Sequence, residues 1–197
     1  MKRLLVLILA IVSLAGCAST KVTRTSSDEV IDLSGRWNDT DSRLTAEEIV
    51  SDCLSRPWID DYLAENGEKP VVIVGSVRNK SSEHIEVLTF IKDIERELIN
   101  SGRVRFVASA VEREEVREER EDQQSNSTEE TANALAAETG ADYMMQGVIT
   151  SITDAVEGKK VIKYQVSMEL IHLQTNEKAW IGENEVKKLI KQSKSKW

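Results

Sequence analysis

Pro70-Val71-Val72-Ile73-Val74-Gly75-Ser76-Val77 is the stretch whose reading decides the fold. It is apolar without polar alternation, which suits a β-strand covered on both faces. The neighbouring residues agree. After a polar turn, Arg78-Asn79-Lys80-Ser81-Ser82, apolar residues recur at helical spacing as Ile85, Leu88, Ile91, Ile94 and Leu98, up to Ser101-Gly102. Val104 to Val107 is a second β segment, so Val71 to Val107 reads as a parallel strand–helix–strand crossover. Upstream, Asn38-Asp39-Thr40-Asp41 offers caps for a helix carrying Leu44, Ile49, Val50, Cys53 and Leu54. Pro57 separates it from a second helical piece, Trp58 to Asn66, closed by Gly67. Ile31 to Trp37 is expected to be a short edge strand.

The C-terminal half is organised differently. Val111 to Glu121 is nearly all Glu and Arg, which fits either a solvated helix face or a charged docking surface. Thr128 caps an alanine-rich run, Glu129 to Thr139, stopped by Gly140. Beyond it come three strand-like runs: Tyr143 to Thr153, Lys160 to Leu173 and Lys178 to Leu189. Glu157-Gly158 and Thr175-Asn176 sit between them as hairpin turns would. Lys187 to Lys196 reads as a basic tail before Trp197. The element order is β-α-α-β-α-β-α-α-β-β-β. It implies an α/β (α+β) fold, with a single mixed sheet flanked by helices and a C-terminal antiparallel meander.

At the other end, Lys2-Arg3 precedes an apolar run from Leu4 to Leu14, then Ala15-Gly16-Cys17. A charged start, a short apolar core and small residues make a secretory signal. The run is short of the roughly 20 residues a bilayer span needs. Leu14-Ala15-Gly16-Cys17 resembles the lipobox of bacterial lipoproteins, which implies cleavage before Cys17 and acylation of its thiol and amine; a plain signal with a chance cysteine is the alternative. Ala18 and Ser19, with no Asp beside the lipid, resemble the pattern sent to the outer membrane. The expected organisation is a signal peptide over 1–16, lipidated Cys17 and a Ser/Thr-rich tether over 17–30, one domain over 31–190 and a basic tail over 191–197. The precursor carries a formal charge of −8, and losing Lys2 and Arg3 brings it near −10. Such a chain should not hold nucleic acid by bulk charge. With Cys17 lipidated, Cys53 has no intramolecular partner; among Ile49, Val50 and Leu54 it reads as a buried structural thiol rather than a reactive one.

No catalytic constellation stands out. His84 and His172 are the only histidines, no Cys/His spacing suits a metal, and the glycines form no phosphate-cradling loop. Ser76 follows Gly75, but the second glycine of a nucleophile elbow is missing. The chain is read as a non-enzyme, without cofactor or metal. A deep pocket of converging polar groups would revive the alternative of a hydrolase.

Several runs, taken in order, carry a resemblance: Asp32 to Asp41, Val77 to Ile85, Arg103 to Val107, Glu138 to Gly147 and Lys178 to Gly182. Together with the lipobox they resemble the LpoB family, outer-membrane lipoproteins that activate penicillin-binding proteins, over about residues 31–190. The resemblance implies a periplasmic domain like the N-terminal domain of TolB. It further implies a partner, a class A penicillin-binding protein (a peptidoglycan synthase), and a monomeric effector with no active site of its own. Within the family-like runs, Arg78, Asn79, Lys80, Ser81, Tyr143 and Gln146 are the candidate partner-binding residues. The competing reading makes Arg78 to Ser82 a plain loop and Tyr143 a core residue. One departure is the tether: enteric members carry a long proline-rich linker, whereas about 13 residues here reach under ~50 Å even fully extended. The alternative function is a structural or secretion-accessory lipoprotein of the CsgG type. CsgG-like pores need long alternating transmembrane hairpins, and the sequence shows no spare pair of that kind.

Overall fold

The computed structural model describes residues 21–27, 29–125 and 140–191. Cys17, the Glu129 to Thr139 run and residues 192–197 lie outside the described residues. Residues 21–27 form neither helix nor strand. From Ile31 onward the order is α1 (Asp39–Leu54), α2 (Trp58–Asn66), β1 (Val71–Asn79), α3 (Val87–Asn100), β2 (Arg105–Phe106), α4 (Ala110–Ser125), β3 (Tyr143–Val156), β4 (Lys159–His172) and β5 (Lys178–Lys191).

The strands make one five-stranded mixed sheet in the order β2-β1-β3-β4-β5. β1 is parallel to both β2 and β3, and β3, β4 and β5 form the antiparallel meander. β1 carries Val71, Val72, Ile73 and Val74 buried in succession, as its unalternating sequence requires. The meander alternates. Tyr143, Met145 and Ile149 of β3, Ile162, Tyr164, Val166, Met168 and Leu170 of β4, and Trp180 of β5 point to a closed face. α1 and α3 cover that face with Ala46, Ile49, Val50, Cys53, Phe90, Ile94 and Leu98. Burying each large aliphatic or aromatic side chain of this set is worth roughly 1.5–3 kcal/mol. Gly147 lies opposite Met168, and a Cβ there would run into the Met168 side chain and the Ser167 carbonyl, so the strands approach closely only because the side chain is absent.

Local signals set the ends of these elements. Asn38 caps α1 in a reciprocal box: its side chain accepts from the Asp41 N–H (3.0 Å) and the Asp41 carboxylate accepts from the Asn38 N–H (2.9 Å). Gly67 ends α2 at φ 73°. Gly158 (φ 75°) and Asn176 (φ 63°) turn the two hairpins where the sequence places them.

Three expectations are corrected. Ile31 to Trp37 forms no strand, because Gly35 at φ 68° breaks the extended run. Trp37 is held instead by edge-on contacts to Phe90 and Tyr164, and its N–H donates to the Tyr164 hydroxyl (3.1 Å). The stripe of α3 is phased differently: the helix starts at Val87, Ile85 is buried ahead of it, and Phe90, Ile94 and Leu98 turn inward while Leu88 is 61% exposed. β5 runs through Lys191 rather than giving way to a tail at Lys187, because Lys188 and Ile190 face inward and are held there.

α4 is polar on nearly every described side and is fastened to α3 by the Lys92–Glu112 ion pair. The Lys92 ammonium, with the N–H and hydroxyl of Ser109, lowers the Glu112 pKa to about 2 from an ordinary 4.5. A carboxyl whose folded value lies below its unfolded one stabilises the fold above the unfolded value. That contribution is lost as pH falls through the folded value. The protection factors of the α4 amides, exchange rates corrected for their intrinsic pH dependence, are therefore expected to fall between pH 4.5 and 2. In Glu112→Gln the low protection should already be present at neutral pH and that acid step should be absent.

Candidate protein-docking face

Among the described residues, no helix covers the second face of the meander. Across it run lateral rows set by the strand register, such as Gln146–Glu169–Ile181 and Val148–Ser167–Glu183, with Arg78 of β1 beside Val148. Glu169 is the centre of its row. Its carboxylate accepts from Gln146 (Nε2 to Oε1, 2.8 Å) and pairs with Lys178 (Nζ to Oε2, 2.5 Å). Those two contacts, Lys178 first, hold the Glu169 pKa below the ordinary carboxylate range, with a smaller pull from Arg78. Further along, Lys163 pairs with Glu185, and Gln165 donates to Glu183 (2.9 Å). Between these polar groups stand exposed aliphatic side chains: Ile181 is 69% exposed, and Ile152 and Leu189 are also open to solvent. An exposed ion pair is worth less than about 1 kcal/mol to stability. A surface mixing both charges with aliphatic groups suits contact with another protein.

The candidate residues separate on this framework. Arg78 and Gln146 lie on the open face. Asn79 and Ser81 are used by their own turn: the Asn79 amide donates to the Glu83 carbonyl (2.8 Å), and its Oδ1 accepts from both the N–H and the hydroxyl of Ser81. Lys80 gives its N–H to Ile149 at 2.7 Å and leaves its side chain exposed at the tip. Tyr143 sits on the closed face, packed edge-on against Trp58, Tyr62 and His172. Glu169 and Lys178 escaped the sequence reading. The signal was present, since each lies at an outward position of an alternating strand.

The remaining reactive types are inert here. Burial pushes the Cys53 thiol up to about 12, so it stays protonated. His84 is exposed, and His172 is bonded to Thr175. Among the described residues no group of three His, Cys, Asp or Glu could hold a metal ion, and no helix is long and apolar enough to cross a membrane.

A family model described as peptidoglycan-synthase activator LpoB matches residues 41–186. The chain belongs to the LpoB family. LpoB proteins are regulatory activators of peptidoglycan synthesis in the cell envelope, not enzymes. Solved LpoB C-terminal domains are among the structures to which the chain is similar. The Escherichia coli domain is 22% identical, with 74% of this chain and 98% of that one covered at a TM-score of 0.44. The Salmonella enterica domain is 21% identical, with the same coverage and a TM-score of 0.42. A lipoprotein from Neisseria meningitidis is 14% identical over 61% of this chain and 83% of its own, at 0.38. No curated protein sequence matches the chain significantly.

Proposed function

We propose that this LpoB-family chain is a monomeric lipoprotein held at the outer membrane through Cys17. Facing the periplasm, it binds and activates a class A penicillin-binding protein. The observation that carries the reading is the family match over residues 41–186. The lipobox supports the anchor. The open face of β3–β5 supports the docking, because it joins charged groups to uncovered aliphatic ones. Activation would come from binding alone: a rigid sheet face holds the synthase in its more active arrangement.

The test is co-purification of the mature, non-lipidated chain with class A penicillin-binding proteins of the same cell, coupled to an assay of glycan polymerisation. Absence of both binding and rate change would overturn the reading. Arg78→Glu and Lys80→Glu are each expected to weaken the synthase affinity by about threefold to tenfold, the scale of a lost exposed ion pair plus a new like-charge contact. Melting temperature should hold in both, since both side chains are exposed. Unchanged affinity would remove that end of β1 from the interface.

A further inference from the structure

A cavity of about 780 Å³ lies between α2 and the β4–β5 turn, and the open face does not use it. Tyr62, Glu65, Asp142, Tyr143, His172 and Glu177 are among its lining residues. The Tyr143 ring stands edge-on to Tyr62 (5.7 Å, 68°) and to His172 (4.9 Å, 72°). Tyr143 is only 7% exposed, no described residue bonds its hydroxyl, and it lines the cavity. Asp142, His172 and Glu177 beside it are engaged. Asp142 accepts from the Val71 N–H (2.7 Å). His172 Nδ1 accepts from the Thr175 N–H (3.2 Å), and Glu177 accepts from the Thr175 hydroxyl (2.9 Å). Burial, then the negative charge of Asp142, Glu65, Asp61 and Glu177, raises the Tyr143 pKa. The free hydroxyl thus faces a mouth ringed by carboxylates.

We propose that this cavity takes a cationic side chain, the guanidinium of an arginine or the ammonium of a lysine, presented by a protein partner. Its N–H groups would donate to the Tyr143 oxygen and to Glu65 and Glu177, and the aromatic rings would line the cation. The surrounding carboxylates repel an anion. A metal ion is disfavoured because the acids here form no ligating cluster. Lys178 does not neutralise the cavity, since its ammonium is bound to Glu169.

The proposal rests on the partner-binding reading only in that the cation arrives on a protein, and its test needs no synthase. The full mature chain is titrated with Nα-acetyl-arginine methylamide, with the lysine counterpart, and with the uncharged citrulline counterpart, and read by NMR. Saturable shifts at Tyr62, Tyr143 and His172 are expected with the first two and not with the third. Glu65→Gln and Glu177→Gln should each weaken the affinity by about twofold to fivefold. Tyr143→Phe should weaken it while leaving the melting temperature unchanged or higher, because the hydroxyl bonds none of the described residues. Equal shifts from citrulline, shifts scattered away from the cavity, or a lower melting temperature for Tyr143→Phe would overturn the proposal. A chain that bound no synthase yet showed the shifts would sink the function above and leave the cavity's ligand class standing.

Discussion

Lys188→Met is expected to destabilise the domain by roughly 3 kcal/mol, the scale of breaking a largely buried ion pair by removing one partner. Lys188 is only 10% exposed, yet its ammonium meets Asp32 (2.6 Å), Asp41 (2.6 Å) and the Arg36 carbonyl (3.0 Å). Burial works to lower its pKa, and the two carboxylates outweigh that, so it is held above the ordinary lysine value. The group therefore contributes stability at neutral pH and loses it only as pH rises through its raised value. Methionine keeps the stem and removes the charge. Asp41, itself largely buried, would then keep only the Asn38 capping contact. The segment from Asp32 to Trp37 would also lose its main tie to β5. Chemical denaturation measures the loss. Adding Asp41→Asn to Lys188→Met should recover part of it, because no uncompensated charge is then left inside. A Lys188→Met protein as stable as the parent would show the cluster to be neutral, as some buried ion pairs are.

Cys17→Ser should move the protein wholly from the membrane fraction to the soluble one. Two or more acyl chains, at about 0.8 kcal/mol per buried methylene, anchor a chain for good, and serine cannot take the thioether-linked lipid. Fractionation and mass spectrometry of the mature N-terminus decide it. Activation of a synthase by the purified variant should survive, because the docking face lies in the domain, while activity in cells should be lost with the anchor. A Cys17→Ser protein that stayed at the membrane would remove the lipobox as the source of anchoring.

Much of the fold was legible because its signals are local. An unbroken apolar run marked β1, capping residues marked the start of α1, and Gly158 and Asn176 marked the hairpins. The errors were also local in origin. The Ile31 to Trp37 run has strand-like composition, but Gly35 and the burial of the Trp37 ring override it. The stripe of α3 was misphased because Ile85 was counted as its first turn, whereas Phe90 sets the inward face. The site was harder. Tyr143 and Gln146 are three residues apart, so a strand must send them to opposite faces. That much could be read from spacing. Which face would be covered could not.

By itself the sequence determined the order of the elements from Asp39 to Phe106, the meander with its two turns, and the family, because each depends on neighbouring residues or on runs in order. Only the tertiary structure decided that Glu169 gathers Gln146 and Lys178 on an uncovered surface, that Lys188 is enclosed by two carboxylates, and that Tyr62, Tyr143 and His172 share a cavity. These groups come from distant parts of the chain. Strand register and helix packing bring them within hydrogen-bonding reach, and no local pattern encodes that distance.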